Sequence, residues 1–481
     1  MEKISNFIGG RHLPPVSGNY LQNTDPSTGL MSGEIPDSGP EDLAQAVAAA
    51  RAVEKSWAAT SSEERAAILL KISNLIIRDK ELLARAESID SGKTLEAALN
   101  IEIPRAAQNF EFYAHGATQF ASESHAMGQS INYTLRQPLG TVACISPWNL
   151  PLYLFTWKIA PALAVGNCVI AKPSEITPVT AWMFGKICQE AGLPDGVLNI
   201  LHGRGSSIGR SLVSHPAVKA IGFTGGTKTG AEIAAAAAAT FKKTSLELGG
   251  KNPYLVFSDC NMEEAVTHSV RAAFSNQGQI CLCGSRVYVQ KDIYEEFKAR
   301  FLEEAGHWQP GDPLDRASRV GAVVSRDHLH KILSYLETAR EEGGRILTGG
   351  KVVRLEGRCE NGYFIQPAVI EGLGQDSRLN QEEIFGPVVT LQPFATEEEA
   401  LAMANDCQYG LSASVWTSNL QRAHRLGAEL EAGIIWINSW LLRDLRTPFG
   451  GHKMSGQGCP EGGYESMRFF TSVKNVCINF A

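Results

Sequence analysis

From Gly140 onward the chain alternates short apolar runs with amphipathic stretches, and this restricts its fold more than any other feature. Residues 141–146 (TVACIS) read as a buried strand, followed by Pro147, Trp148, Asn149 and a helix to about Ala164. Residues 168–171 form a second strand ending in Lys172-Pro173-Ser174-Glu175. The helix over 178–191 opens on proline, which a first helical turn tolerates. Strand 197–201, helix 206–214, strand 220–223, helix 229–239 and strand 244–248 continue the series. Strands separated by helices need crossover connections, hence a parallel, doubly wound α/β sheet.

Past Gly249-Gly250 the alternation restarts, with strand 254–257, helix 262–274, strand 286–289 and helix 293–305. This predicts a second α/β unit over residues 249–446, the first comprising 1–121 and 139–248. Before it, residues 41–59 and 62–113 carry helical periodicity, broken at Asp90-Ser91-Gly92-Lys93. Residues 130–137 and 472–479 alternate polar and apolar. They are expected to form a small extra sheet within 122–138 and 462–481, or else to edge the main sheets.

With 44 Lys+Arg against 51 Asp+Glu, the net charge is −7 and no basic block occurs, which argues against nucleic acid or anionic lipid as partner. No apolar run approaches the ~18 residues of a membrane helix. Residues 1–5 (MEKIS) lack the basic, then long apolar pattern of a secretion signal, so the protein is expected in the cytoplasm. Its 10 cysteines are scattered rather than framed, as in reduced proteins. Cys281-Leu282-Cys283 is half a metal site with no second half, so no metal is expected.

Several loops could carry chemistry. Gly203-Arg204-Gly205-Ser206-Ser207-Ile208-Gly209 links a strand to a helix, one residue longer than the dinucleotide fingerprint. A tight turn would use the same glycines. Phe223-Thr224-Gly225-Gly226-Thr227-Lys228-Thr229-Gly230 repeats the theme, and a helix N-terminus suits phosphate. Lys172 and Glu175 lie beyond a strand end, where open sheets bind ligands. A carboxylate there accepts both hydroxyls of an adenosine ribose and repels a 2′-phosphate, favouring NAD over NADP; the alternative is an exposed loop pair. The charge-free loop 274–281 (FSNQGQIC) leads to Cys281, either an accessible thiol or a packed one. Glu247, between two leucines at a strand end, offers a base, and Asn149 an amide donor.

These residues fall in motifs that together resemble the NAD(P)-dependent aldehyde dehydrogenase superfamily, essentially end to end. In order they are PWN (147–149), KPSE (172–175), FTGGTKTG (223–230), LELGGKNP (246–253), FSNQGQIC (274–281), EEIFGP (382–387) and PFGGHKMSG (448–456). Gly226 stands where the family usually has Ser.

The resemblance implies a Rossmann-like NAD-binding domain over 1–121 and 139–248, a catalytic domain over 249–446 and oligomerisation strands in the remaining segments. It implies that Cys281 attacks the aldehyde to give a thiohemiacetal, that Asn149 and the Cys281 N–H hold the oxyanion, and that Glu247 activates the water that hydrolyses the thioester. It assigns NAD to Ser146, Trp148, Lys172, Ser174, Glu175, Gly205, Gly209, Phe223, Thr224, Gly225, Gly226, Gly230, Leu248, Gly249, Glu383 and Phe385. Substrate contacts fall on Leu154, Trp157, Phe449, Arg105 and Arg443. A homodimer or homotetramer is implied.

Arg105 and Arg443 match pocket positions that are usually apolar in relatives oxidising neutral aldehydes. Guanidinium groups facing a pocket call for an anionic guest, unless Glu102 pairs with Arg105 and Asp444 with Arg443. With the segment NSWLLRDLRTPFGG, they make the chain most similar to the branch that oxidises 2-aminomuconate and 2-hydroxymuconate semialdehydes to dicarboxylates. Succinic semialdehyde is a rival anionic substrate. A catalytically silent nucleotide-binding relative would lack a nucleophile, base or oxyanion donor, and none is lacking.

Overall fold

The computed structural model describes residues 2–480; Met1 and Ala481, at the outer ends of the segments assigned above, lie outside them. Its first sheet runs, in spatial order, Gly456–Gly458, Lys243–Glu247, Ala220–Thr224, Thr141–Ile145, Cys168–Lys172, Leu198–Ile200, Asn6–Ile8 and Arg11–Leu13. The five central strands are parallel. The chain starts at Thr141–Ile145, steps outward to Leu198–Ile200, then returns to the other side at Ala220–Thr224. A topological switch point therefore falls between Thr141–Ile145 and Ala220–Thr224, where ligands enter open sheets. Antiparallel strands extend both margins: Asn6–Ile8 on one side and Gly456–Gly458, from beyond the second unit, on the other.

The second sheet orders Arg345–Thr348, Ala368–Glu371, Val388–Phe394, Arg286–Gln290, Pro253–Val256, Ser412–Trp416 and Ile434–Ile437. Only Arg345–Thr348 is antiparallel. Strands such as Thr141–Ile145, Cys168–Lys172 and Ser412–Trp416 are buried throughout, which explains their apolar, non-alternating sequences.

The two alternating segments pair with each other. Thr471–Asn479 runs antiparallel to Ser130–Pro138 from end to end, with Ser124–Met127 on the far side. They do not edge the main sheets. Met127, Ile131, Leu135, Val473, Ile478 and Phe480 leave apolar surface exposed there.

Two helical expectations change in detail. The stretch before Asp90 is two helices, Ser62–Arg78 and Lys80–Ser91, which meet at Asp79. The helix expected over 206–214 begins as a π-turn, Gly205–Gly209, before Arg210–Ser214. Helix Lys80–Ser91 stops at Gly92, whose φ of +76° suits glycine; a Cβ there would lie 2.8 Å from the Ala322 carbonyl oxygen. Among the described residues no helix is long and apolar enough to cross a membrane.

Candidate active site

A cleft of about 790 Å³ is lined by residues of both α/β units, among them Cys281, Glu247, Leu154, Trp157, Phe449, Arg105 and Arg443. Cys281 follows the short turn Ser275–Gly278, in which Asn276 and Gln277 adopt left-handed φ of 49° and 57°. Side chains without a special need avoid that region. The loop is held by its surroundings: Asn252 Nδ2 donates to the Cys281 carbonyl at 2.7 Å and to that of Cys283 at 2.9 Å. Gly278 is required as well, since a Cβ there would lie 2.2 Å from the Gly386 carbonyl oxygen.

Burial pushes the Cys281 thiol well up, and the carboxylates of Glu383 and Glu247 push it further, while Arg443 opposes them. The sulfur therefore carries its proton at neutral pH, and attack needs a proton acceptor. Glu247, at the end of Lys243–Glu247, is 3% exposed, with Oε2 lacking a partner. Its carboxyl is raised well above the ordinary range by burial, then by the charge of Glu461, against Lys158 and Arg443. A raised carboxyl in a cleft is suited to general base work near neutral pH.

Glu461 and Lys158 are a buried ion pair beside Glu247. Sequence reasoning missed both. Lys158 lies within an apolar helix, Pro151–Ala164. Glu461 is an acid isolated between Pro460 and Gly462, and that isolation was the available signal. Its backbone bridges to Phe449, with both N–H···O distances 2.6 Å.

Asn149 is buried and is not among the residues lining the cleft. Its Nδ2 donates to the Gln279 carbonyl at 2.9 Å, two residues before Cys281. One of its two amide hydrogens remains uncommitted.

At the switch point the first sheet offers a cradle. Ser146 follows one flanking strand and Thr224 ends the other; both hydroxyls are buried without partners. Helix Thr227–Ala238 begins at Gly226 with no side-chain cap, so its first N–H groups stay free for an anion. A Cβ at Gly226 or Gly205 would meet nothing within 4 Å, whereas at Gly225 it would lie 2.4 Å from the Phe223 ring and at Gly230 2.4 Å from Leu248. Gly225 and Gly230 thus serve packing, while Gly226 and Gly205 border open space. Gly209 makes ordinary contact with the Lys172 methylenes.

Lys172 Nζ lies 3.1 Å from Glu175 Oε2, and Glu175 Oε1 accepts the Gly205 N–H at 3.1 Å. Ser174 folds onto its own loop, accepting the Ile176 N–H. Further along, Glu383 Oε1 accepts the Gly250 N–H at 2.8 Å, and a Cβ on Gly249 would lie 2.5 Å from Glu383 Oε2. Phe385 holds a left-handed φ of 61° and meets Trp148 edge-on at 5.2 Å. Orphan hydroxyls, free helix N–H groups and a carboxylate at the cradle's end fit the phosphates and ribose of a dinucleotide. Among the described residues no group of His, Cys, Asp or Glu is placed to hold a metal ion.

The two arginines do not find the acids beside them. Asp444 pairs with Arg446, and Glu102 with Lys93. Among the described residues the hydrogen bond of Arg105 is to Gln108 at 3.4 Å; it lies 5.9 Å over the Tyr153 ring, and its charge reaches Asp444 without forming a pair. Arg443 stacks between Phe449 and Trp157, at 4.1 and 5.2 Å, and its Nη2 is buried without a partner.

A model of the aldehyde dehydrogenase family matches residues 14–476. The chain is 48% identical over 479 residues to the 2-aminomuconic semialdehyde dehydrogenase of Bos taurus, spanning 99% of this chain and 98% of that one. It is 43% identical over 485 residues to the 2-hydroxymuconic semialdehyde dehydrogenase of Pseudomonas sp. (strain CF600), spanning 99% and 100%. Among solved structures, an indole-3-acetaldehyde dehydrogenase complexed with NAD+ superposes with TM-score 0.97 at 35% identity, covering 100% of this chain and 97% of that one.

Proposed function

The chain belongs to the aldehyde dehydrogenase family, and we propose that it uses NAD to oxidise a carboxylate-bearing, unsaturated six-carbon semialdehyde, 2-aminomuconate or 2-hydroxymuconate 6-semialdehyde, to the dicarboxylic acid. The observation that carries this substrate is Arg443, a cation in the cleft whose buried Nη2 has no partner. A buried donor left unsatisfied is costly, and a substrate carboxylate relieves it. Arg105, likewise in no ion pair among the described residues, supports the same guest. Leu154, Trp157 and Phe449 supply apolar walls for the carbon chain.

The chemistry follows from the site. Glu247, as base, takes the Cys281 proton, and the sulfur bonds to the aldehyde carbon. The carbonyl oxygen becomes an oxyanion, held by the free hydrogen of the Asn149 amide and the Cys281 N–H. Bound NAD supplies the acceptor for the hydride that leaves this carbon, so a thioester remains. That proton passes to solvent, so Glu247 is a base again and removes a proton from water, which attacks the thioester; collapse releases the acid, and the departing thiolate takes the proton back from Glu247. Lys158 and Glu461 set the charge around that carboxylate. Lys172 and Glu175 hold the adenosine ribose, the Gly225–Gly226 turn the pyrophosphate, and Glu383 the nicotinamide ribose.

The first α/β unit is thus the dinucleotide-binding domain and the second the catalytic one, joined at Gly249-Gly250. The exposed apolar face of the three-stranded sheet supports assembly into a homodimer or homotetramer. All 10 cysteines are free thiols, which suits a reducing compartment such as the cytoplasm. Substrates of this type arise by opening aromatic rings, in aromatic catabolism that includes the kynurenine route.

Steady-state rates on muconate semialdehydes, succinic semialdehyde and neutral aldehydes, with NAD and NADP, test the proposal. A higher kcat/KM for the muconate semialdehydes with NAD is the expected outcome. Equal rates on neutral aldehydes would refute it.

A further inference from the structure

Lys93 follows the Gly92 stop and is 1% exposed. Its ammonium pairs with Glu102, lies 3.6 Å from Glu87 Oε1, and donates to the Asn149 backbone carbonyl at 2.9 Å. Glu87 is fully buried too. Its Oε2 accepts the Leu152 N–H and the Thr180 hydroxyl, each at 3.1 Å, and so caps the helix that follows Asn149. Asn276 Nδ2 donates to the same Asn149 carbonyl at 3.1 Å.

A lysine and two glutamates taken out of water are an expensive way to build a core. Lys93 reaches the reactive region through that carbonyl, while Glu102 also lines the cleft. Leu150, next in the chain, is non-helical at φ −133° and ψ 72°, so no regular element fixes the peptide between them. Turning the carbonyl would swing the Asn149 side chain away from the Gln279 carbonyl and the Cys281 loop.

We propose that Lys93, held in place by Glu102, is a positioning residue that aims the Asn149 amide at the reacting oxygen. The inference rests on the reading of Asn149 as oxyanion donor, and its test separates the two. The readout is kcat per titratable Cys281 thiol, measured with melting temperature for Asn149→Ala, Lys93→Met, Glu102→Gln and the Lys93→Met/Asn149→Ala pair.

Loss of an oxyanion donor lowers kcat ~10²–10³-fold, and this is the expectation for Asn149→Ala. Misplacing the donor in Lys93→Met should lower kcat by ~10-fold or more while KM moves little. Glu102→Gln, which keeps the lysine and the volume, should fall in the same direction by less. The double variant should be no slower than Asn149→Ala alone, because a donor already absent has nothing to lose.

Wild-type kcat per thiol in Lys93→Met, or additive losses in the pair, overturns the proposal. A deficit confined to melting temperature and thiol count does the same. Should Lys93→Met not fold, wild-type kcat per thiol in Glu102→Gln is decisive against it. An Asn149→Ala enzyme with normal kcat removes the oxyanion reading itself, whatever the lysine does.

Discussion

The guanidinium carbon of Arg443 lies 4.1 Å from the centre of the Phe449 ring. Stacking on an aromatic face replaces part of a cation's lost hydration but leaves the N–H groups in the guanidinium plane unsatisfied. A carboxylate, planar and with paired oxygens, matches that fork.

Removing either guanidinium should therefore weaken binding chiefly of charged substrates, although the charge of Arg443 also acts on Glu247 and Cys281 in every turnover. A charge-assisted hydrogen bond is worth ~1.5–3 kcal/mol, so Arg443→Met or Arg105→Met should raise KM for the semialdehyde ~10- to 150-fold. Small neutral aldehydes should be little affected. Initial rates at saturating NAD check this, and equal losses on both classes contradict the carboxylate clamp.

The pH profile should report the charges around Glu247. A base works only when ionised, and this carboxyl is raised by burial and by Glu461. Turnover should thus rise with pH later than an ordinary glutamate would allow. Glu461→Gln removes a repelling charge, so the rising limb should move to lower pH. Lys158→Met removes an attracting one, so the limb should move to higher pH. Plots of kcat against pH for the three proteins test both signs; identical profiles would rule out the electrostatic coupling.

Glu247→Gln should form the thioester slowly, because the acceptor for the Cys281 proton is gone, and then stall, because the acceptor for the proton of water is gone as well. Intact mass after mixing with substrate and NAD should show an acyl adduct, absent in Cys281→Ser. A rapidly hydrolysed adduct in Glu247→Gln would assign the deacylating base elsewhere.

Cofactor choice should rest on Glu175, whose carboxylate is steered by Lys172 and the Gly205 N–H. Glu175→Gln removes the charge that repels a 2′-phosphate. The ratio of kcat/KM for NAD over NADP should fall at least ~10-fold, the value of one ordinary ionic contact. An unchanged ratio would place the discrimination on another residue.

Assembly should depend on the apolar face of the Ser130–Pro138 and Thr471–Asn479 strands. Ile131, 37% exposed, and Ile478, 46% exposed, are paired across the two strands and stand on it. Changing both to Asp should lower the mass seen by light scattering while circular dichroism stays native. A wild-type mass would move the interface to another surface.

Much of the site can be read along the chain because its parts are local. The charge-free FSNQGQIC loop announces a cysteine presented by backbone rather than packed by a helix, and a lone glutamate between leucines announces Glu247. The alternation after Gly140 expresses strands buried on both faces, which leave no polar positions to blur the pattern. Less could be read where partners are remote. Lys158 and Glu461 are 303 residues apart, and neither segment hints at the other. Lys93 lies 56 residues before the carbonyl it holds. The break at Asp79 was hidden because the apolar stripe continues through it.

The amino-acid sequence alone determined the doubly wound architecture and singled out the cysteine, carboxylate and amide of the candidate site and the two cleft arginines, since periodicity and motif chemistry are properties of neighbouring residues. Tertiary structure alone decided which charges neutralise which. Glu102 turned to Lys93 and Asp444 to Arg446, leaving Arg105 and Arg443 outside any ion pair among the described residues. Electrostatic pairing depends on distance through space and on exclusion of water, and neither is written in the order of the residues.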